Sequence, residues 1–297
     1  GVYKDLPEAD QVDFEELTNL DCFKNNKDLV YLAVGYSKLN TLDGIENFKN
    51  LKYLEVTGTD LSSFEKLNAE TTPNLFSLSA AGLELEDISS LANLPQTITT
   101  IDISQNKIED ISVISNLKSL KSLMVYYNEI KDITAIKDLT ELRILYASDN
   151  KIEDMSAIGS LVNVNKVDLG NNSITKVDGI GAQNTKLQTL TLSGNAISDL
   201  GTIGSVTTLV TLDLSNNAEK EEEKDESAES AESEASGEEE KEKEPVKTLK
   251  DISALAGLKD LETLTLTGNA IKDMSVLLNM KSLKTLDASK NEIEKLG

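Results

Sequence analysis

Between Leu117 and Asp138 the chain reads LKSLKSLMVYYNEIKDITAIKD, and its apolar positions follow no single period. Leu120, Leu123 and Val125 are three and two residues apart, which suits a short strand with one face turned inward. Asn128 follows three residues later, and then Ile130, Ile133, Ile136 and Leu139 come at intervals of two or three. No single helix or strand turns all of these to one side. A coil made of strand, tight turn and short helical return does. Such a coil cannot bury its own apolar edge, so the pattern requires neighbouring coils stacked on it.

The chain supplies them. Units start at Leu29, Leu51, Leu75, Ile98, Leu120, Leu142, Val164, Leu187, Leu209, Leu261 and Leu283. The recurring phrases NKIEDIS, NEIKDIT, NKIEDMS, NAISDL and NAIKDM resemble leucine-rich repeats of the internalin-like subclass, a subclass that also resembles repeat proteins regulating phosphatases. The resemblance runs from Leu29 to Leu296. It implies an α/β solenoid: a right-handed superhelix with a parallel, concave β-sheet, one strand per repeat, and short 3-10 or α turns on the convex side. Eleven strands at ~4.8 Å make an array about 50 Å long.

Two polar columns recur. Asn106, Asn128, Asn150, Asn172, Asn195, Asn217, Asn269 and Asn291 are expected to turn inward as a ladder, their amides satisfying backbone groups of adjacent coils. In the first three repeats Ser37, Thr59 and Leu83 hold that position. Serine and threonine replace part of the bonding and leucine replaces none, so the regular ladder is expected from Asn106. The second column is Asp87, Asp110, Asp132, Asp154, Asp199, Asp251 and Asp273. One carboxylate per coil lacks the clustered oxygens of a calcium loop; these residues read as caps on the helical turns.

Residues 1–28 precede the repeats, with apolar positions at Val12, Phe14, Leu17, Leu20 and Phe23. They read as a mostly helical cap on the first coil, with Cys22 packed as a small apolar side chain. The repeat domain, 29–297, is interrupted at 218–247 by AEKEEEKDESAESAESEASGEEEKEKEPVK. Removing those 30 residues restores a 22-residue spacing between Leu209 and Leu261 (52 minus 30). The tract is an insertion in one loop, with 14 acidic and five basic residues (net −9) against −23 for the whole chain, leaving −14 elsewhere. It has almost nothing to bury, so disorder is expected. Ser227, Ser230, Ser233 and Ser236 stand in it as modification candidates, with a solvated spacer the plainer reading.

Acidic residues outnumber basic ones by 52 to 29, which disfavours nucleic acid and anionic membranes as partners. No run is apolar enough to span a bilayer, and Gly1 leaves room for a removed signal. With no histidine, one cysteine and one arginine, His-based triads and His metal sites are excluded. An open repeat surface also gives paired carboxylates no dry pocket. The expectation is a non-enzymatic protein without metal or cofactor.

The remaining surface is the concave sheet. Alternation along each strand exposes Ser122, Met124 and Tyr126 in the fifth repeat, and Ile144, Tyr146 and Ser148 in the sixth. Threonines dominate the last four repeats, as strand chemistry alone would favour. Candidate binding residues are Tyr126, Tyr146, Met124, Ile144, Tyr127, Tyr31 and Tyr53, because tyrosine offers an apolar face and a polar tip. Phe48 and Phe64 fall in core columns, and Arg143 is expected at the sheet's edge. The resemblance implies a protein-binding module, monomeric and secreted or surface-attached in a bacterium. The 297 residues show no immunoglobulin-like domain, sortase-type motif or proline in the helical turns, which favours generic adhesion over host-cell invasion. The competing expectation is a cytoplasmic scaffold regulating an enzyme such as a phosphatase.

Overall fold

The computed structural model describes residues 16–218 and 246–296. Eleven three-residue strands form one parallel sheet in strict chain order. They are β1 (Tyr31–Ala33), β2 (Tyr53–Glu55), β3 (Ser77–Ser79), β4 (Thr100–Asp102), β5 (Ser122–Met124) and β6 (Ile144–Tyr146). β7 (Lys166–Asp168), β8 (Thr189–Thr191), β9 (Thr211–Asp213), β10 (Thr263–Thr265) and β11 (Thr285–Asp287) follow. Each strand turns its middle residue inward and its outer two residues to solvent. Register is uniform: Leu123 lies opposite Leu145, Leu145 opposite Val167, and so on along the stack.

The chain returns on the other side through short 3-10 turns, for example Ser112–Asn116, Thr134–Ile136 and Ser156–Ser160. α-Turns, the other option from the sequence, do not occur among these returns. The coil is flattened between sheet and turns, and its interior is filled by one side chain from each apolar column. In the fifth coil Leu120, Leu123, Val125, Ile130, Ile133, Ile136 and Leu139 are all at most 1 % exposed. Burying each such side chain contributes about 1.5–3 kcal/mol before entropy is counted. Phe48 and Phe64 are buried in the same way.

Backbone groups facing the interior are satisfied by the asparagines. Asn128 Nδ2 donates to Ile103 O of the preceding coil at 3.1 Å and to Val125 O of its own at 3.0 Å, while its Oδ1 accepts the Ile108 N–H at 3.0 Å. Asn150, Asn172 and Asn195 repeat the arrangement. Asn217 and Asn291 do likewise, and Asn269 ties its coil to the one before by accepting the Asn217 N–H and donating to Leu214 O. Each amide thus ties two coils together. Ser37 and Thr59 bond only within their own coil: their hydroxyls donate to Val34 O and Val56 O, and Ser37 Oγ also accepts the Leu39 N–H. Leu83 makes no such bond through its side chain; Asn106 Oδ1 instead reaches back to accept the N–H groups of Leu83 and Leu85.

All seven column aspartates accept a backbone N–H two residues on, at 2.7–2.8 Å, at the start of the return. The Ser89 N–H and hydroxyl hold the Asp87 carboxyl below its usual range. Ser275 and Lys295 lower that of Asp273 to about 2.

One further column was not anticipated. The residue before every ladder position has a left-handed backbone: glycine at 58, 82, 194 and 268, but Tyr36, Gln105, Tyr127, Asp149, Asn171, Asn216 and Lys290 in the other coils. Asparagine, aspartate and glycine accept this conformation easily; a tyrosine does so at a cost.

At the N-terminal end, Leu17 and Leu20 are buried and Phe23 packs against the core. The described part of the expected helical cap contains one 3-10 turn, Asp21–Phe23, and no α-helix. Val12 and Phe14 lie outside the described residues. Cys22 is exposed rather than packed, because that turn directs it away from the first coil; partial desolvation still raises its thiol pKa. Most of the 218–247 tract also lies outside the described residues. Its ends meet in an antiparallel bridge between Ala218 and Lys247, and β9 pairs with β10 in unbroken register.

Candidate functional site

The exposed face of the sheet is built by register. Met124 of β5 lies opposite Tyr146 of β6, and Ser122 opposite Ile144. All three large side chains are half-buried, as is Tyr126, because neighbours on the same face cover their flanks. Tyr126 meets Tyr127 edge-on, with ring centroids 5.9 Å apart. Tyr127 is 56 % exposed and has φ 53°, so this rim aromatic occupies the strained column. Lys166 of β7 closes the patch on one side, its Nζ 5.0 Å from the centre of the Tyr146 ring. Asp102 and Asp168 flank Met124 and Tyr146 in the same row.

Asp168 is held in an unusual state. Burial pushes its carboxyl pKa up, and the nearby charges of Asp149 and Asp213 push the same way. The Gly170 N–H, 3.0 Å away, and Lys166 oppose that shift without cancelling it.

The seven candidate residues do not form one surface. Tyr31 and Tyr53 sit four and three strands away from Met124, beyond β3 and β4, where small and polar side chains intervene. Their rings lie 6.2 Å apart, and Tyr53 meets Phe76 edge-on at 5.9 Å. Tyr31 also donates its hydroxyl to Glu55 at 3.0 Å. Phe76, 40 % exposed, is the aromatic that sequence reasoning missed. It stands one residue before its strand, outside the alternation count. Only the column comparison with Val30 and Lys52 would have marked it as outward.

Arg143 is exposed at the edge of β6. Among the described residues, no three His, Cys, Asp or Glu side chains converge as a metal site would need. No helix there is long and apolar enough to cross a membrane.

Comparison with known proteins agrees with this geometry. A family profile described as "Leucine rich repeat" matches residues 96–152 and 162–218, and one described as "Leucine Rich repeats (2 copies)" matches 140–182. No protein of curated function matches the sequence. Among solved structures, an internalin (inlF) of Listeria monocytogenes superposes with a TM-score of 0.77 at 26 % identity, covering 95 % of this chain and 74 % of that one. The functional domain of InlJ, also from Listeria monocytogenes, gives 0.66 at 21 % identity over 94 % of this chain and 57 % of its own. A leucine-rich repeat protein of Leptospira interrogans gives 0.58 at 20 % identity, covering 91 % and 75 %. With its eleven in-register coils, asparagine ladder and 3-10 returns, the chain folds as a leucine-rich repeat solenoid similar to the internalin of Listeria monocytogenes.

Proposed function

We propose that the protein is a non-catalytic binding module, acting as a secreted or surface-attached adhesin or ligand-binding protein, and that it holds a protein partner on the sheet face at β5 and β6. The observation that carries this reading is the juxtaposition of Met124, Ile144, Tyr126 and Tyr146, with the strained Tyr127 at its rim. A monomeric protein seldom leaves such a patch to water without use. Burial in the coil interior explains the leucines and isoleucines; nothing in the coil requires these five side chains where they are. The pair of Tyr31 and Tyr53 with Phe76 forms a second, smaller aromatic surface on the same face.

The test is affinity capture of a surface protein by the wild-type chain, followed by titration of that partner against variants. Interface energy concentrates in a few aromatic anchors, so Tyr126→Ala with Tyr146→Ala should lose at least ~2 kcal/mol of binding. Fold stability should change little, because neither ring is in the core. Thr265→Ala with Thr285→Ala, on the same face, should be nearly silent. A partner that depends on the threonine pair and ignores the tyrosine pair would place the site elsewhere.

A further inference from the structure

Carboxylates along the sheet face have a structural occupation. Asp102, Asp213 and Asp287 each accept the backbone N–H two residues on and the serine hydroxyl of that same residue, at 2.6–3.0 Å. Those carboxylates close turns. The cations beside the patch have no such duty. Lys121 and Arg143 hold the same position on neighbouring coils, since the Arg143 N–H donates to Lys121 O at 2.8 Å. Asn165 holds that position on the next coil, its N–H donating to Arg143 O at 2.8 Å, and Lys166 stands beside it, opposite Ile144. None of the three cations pairs with a carboxylate among the described residues.

Like charges directly opposed on adjacent strands destabilise a sheet. The same column shows the ordinary solution at its far end, where Glu262 and Lys284 form an ion pair at 2.7 Å. On the far side of Arg143 lies a groove of about 570 Å³, lined among others by Arg143, Ile144, Asn163, Asn165, Lys186 and Gln188. It presents a guanidinium, an ammonium and three amides, and no carboxylate. Two other surface depressions are each lined by several carboxylates: Asp251, Asp273 and Glu292 in one, and Glu109, Asp110, Asp132 and Asp138 in the other. Ile144 belongs both to this groove and to the apolar patch.

We propose that the groove beside Arg143 binds a carboxylate side chain of a partner polypeptide, with an adjacent apolar residue of that partner seated on Ile144 and Tyr146. This rests on the reading of the sheet face given above and adds the chemistry of the ligand. Arg143 supplies the planar fork that matches a carboxylate, and Lys186 a second cation. A highly charged polyanion such as a sulfated saccharide is disfavoured, because the chain carries −23 overall and would repel it. One carboxylate beside an apolar residue meets only the local positive charge.

The experiment compares two labelled Gly-Ser peptides, one with a Glu-Leu-Phe core and one with Gln-Leu-Phe, by fluorescence polarisation and by amide shifts of the labelled protein. The acidic peptide should bind about tenfold more tightly, the effect of one charge-assisted hydrogen bond. Its shifts should centre on Arg143, Ile144, Asn165 and Gln188. In Arg143→Gln with Lys186→Gln the preference should vanish while the melting temperature holds, since both side chains are exposed. Equal binding of the two peptides, a preference that survives the double variant, or shifts absent from the groove would overturn the proposal. So would a heparin fragment that shifts the groove where the peptides do not. If Tyr126→Ala with Tyr146→Ala weakens both peptides while the carboxylate preference is missing, only this inference fails. If that tyrosine variant binds both peptides unchanged, the sheet-face reading fails as well.

Discussion

Replacing Asn150 by alanine removes four hydrogen bonds at the middle of the stack. Its Nδ2 donates to Val125 O at 2.9 Å, Ala147 O at 3.2 Å and Ser148 O at 3.0 Å, and its Oδ1 accepts the Ile130 N–H at 3.0 Å. The residue is 6 % exposed, so water cannot fully take over. An orphaned buried polar group costs ~1–3 kcal/mol, and Asn150 Oδ1 is the acceptor of the Ile130 N–H among the described residues. The expected loss is therefore ~1–3 kcal/mol in urea melts, the upper part of the range if the hole stays dry. Asn291 makes the same four kinds of bond, to Leu266 O, Ala288 O, Ser289 O and the Ile271 N–H. It is only partly buried, so Asn291→Ala should cost less. The fold is a one-dimensional array, in which damage at an end frays one coil while damage in the middle separates two halves. Asn150→Ala should accordingly broaden the transition, and Asn291→Ala should not. Asn150→Asp is the sharper variant: it keeps the acceptor for Ile130 but sets a carboxylate against three carbonyl oxygens. Near neutral pH it should be at least as damaging as alanine, and it should partly recover in acid, where the protonated group can donate once more. Equal and negligible losses at both positions would refute the role given to the ladder.

Other expectations follow from single features. Tyr127→Gly should raise stability by about 1 kcal/mol in thermal melts, because it relieves a left-handed tyrosine, and should weaken binding at the patch; loss of stability would show that the ring packs more than it strains. Asp168→Asn should raise the melting temperature near neutral pH. The folded pKa lies above the unfolded one, so this residue favours folding in acid and loses that contribution as pH rises through the folded value. Wild type and variant should converge below the ordinary carboxylate range, and a variant less stable at neutral pH would contradict the assignment. Replacing residues 219–246 by an Asn-Gly turn between Ala218 and Lys247 should leave the melting temperature within a few degrees, since two-residue turns join antiparallel partners. A large drop would show that the tract contributes packing.

The coils were legible because their apolar spacing admits few geometries. Leu120, Leu123, Val125 and Ile130 cannot all turn inward in one helix or strand, and the recurrence of asparagine after them marks the turn. The outward places of Met124, Ile144, Tyr126 and Tyr146 followed from alternation. What escaped depends on relations between coils. The left-handed column mixes glycine, asparagine and aspartate with tyrosine, glutamine and lysine, so the shared backbone state shows only when the coils are aligned. Phe76 was missed because strands of three residues leave little alternation to extend. The exposure of Cys22 depends on a 3-10 turn where spacing suggested a longer helix. The unpaired neighbours Lys121 and Arg143 show as a pair only once register is known, for they lie 22 residues apart in sequence. Leu286 occupies a core column yet is 45 % exposed, because no described coil covers β11, whereas Leu264 in the preceding coil is fully buried. A pattern repeated along the chain does not record where the stack stops.

The most direct test of the central claim is a hydrogen-exchange footprint of a captured protein partner on the intact chain. Slowed exchange should be confined to the backbone of residues 122–127 and 143–148, spreading toward Asn165 and Gln188. Slowed exchange on the 3-10 returns, or at the threonines of β10 and β11, with β5 and β6 unchanged, would contradict it.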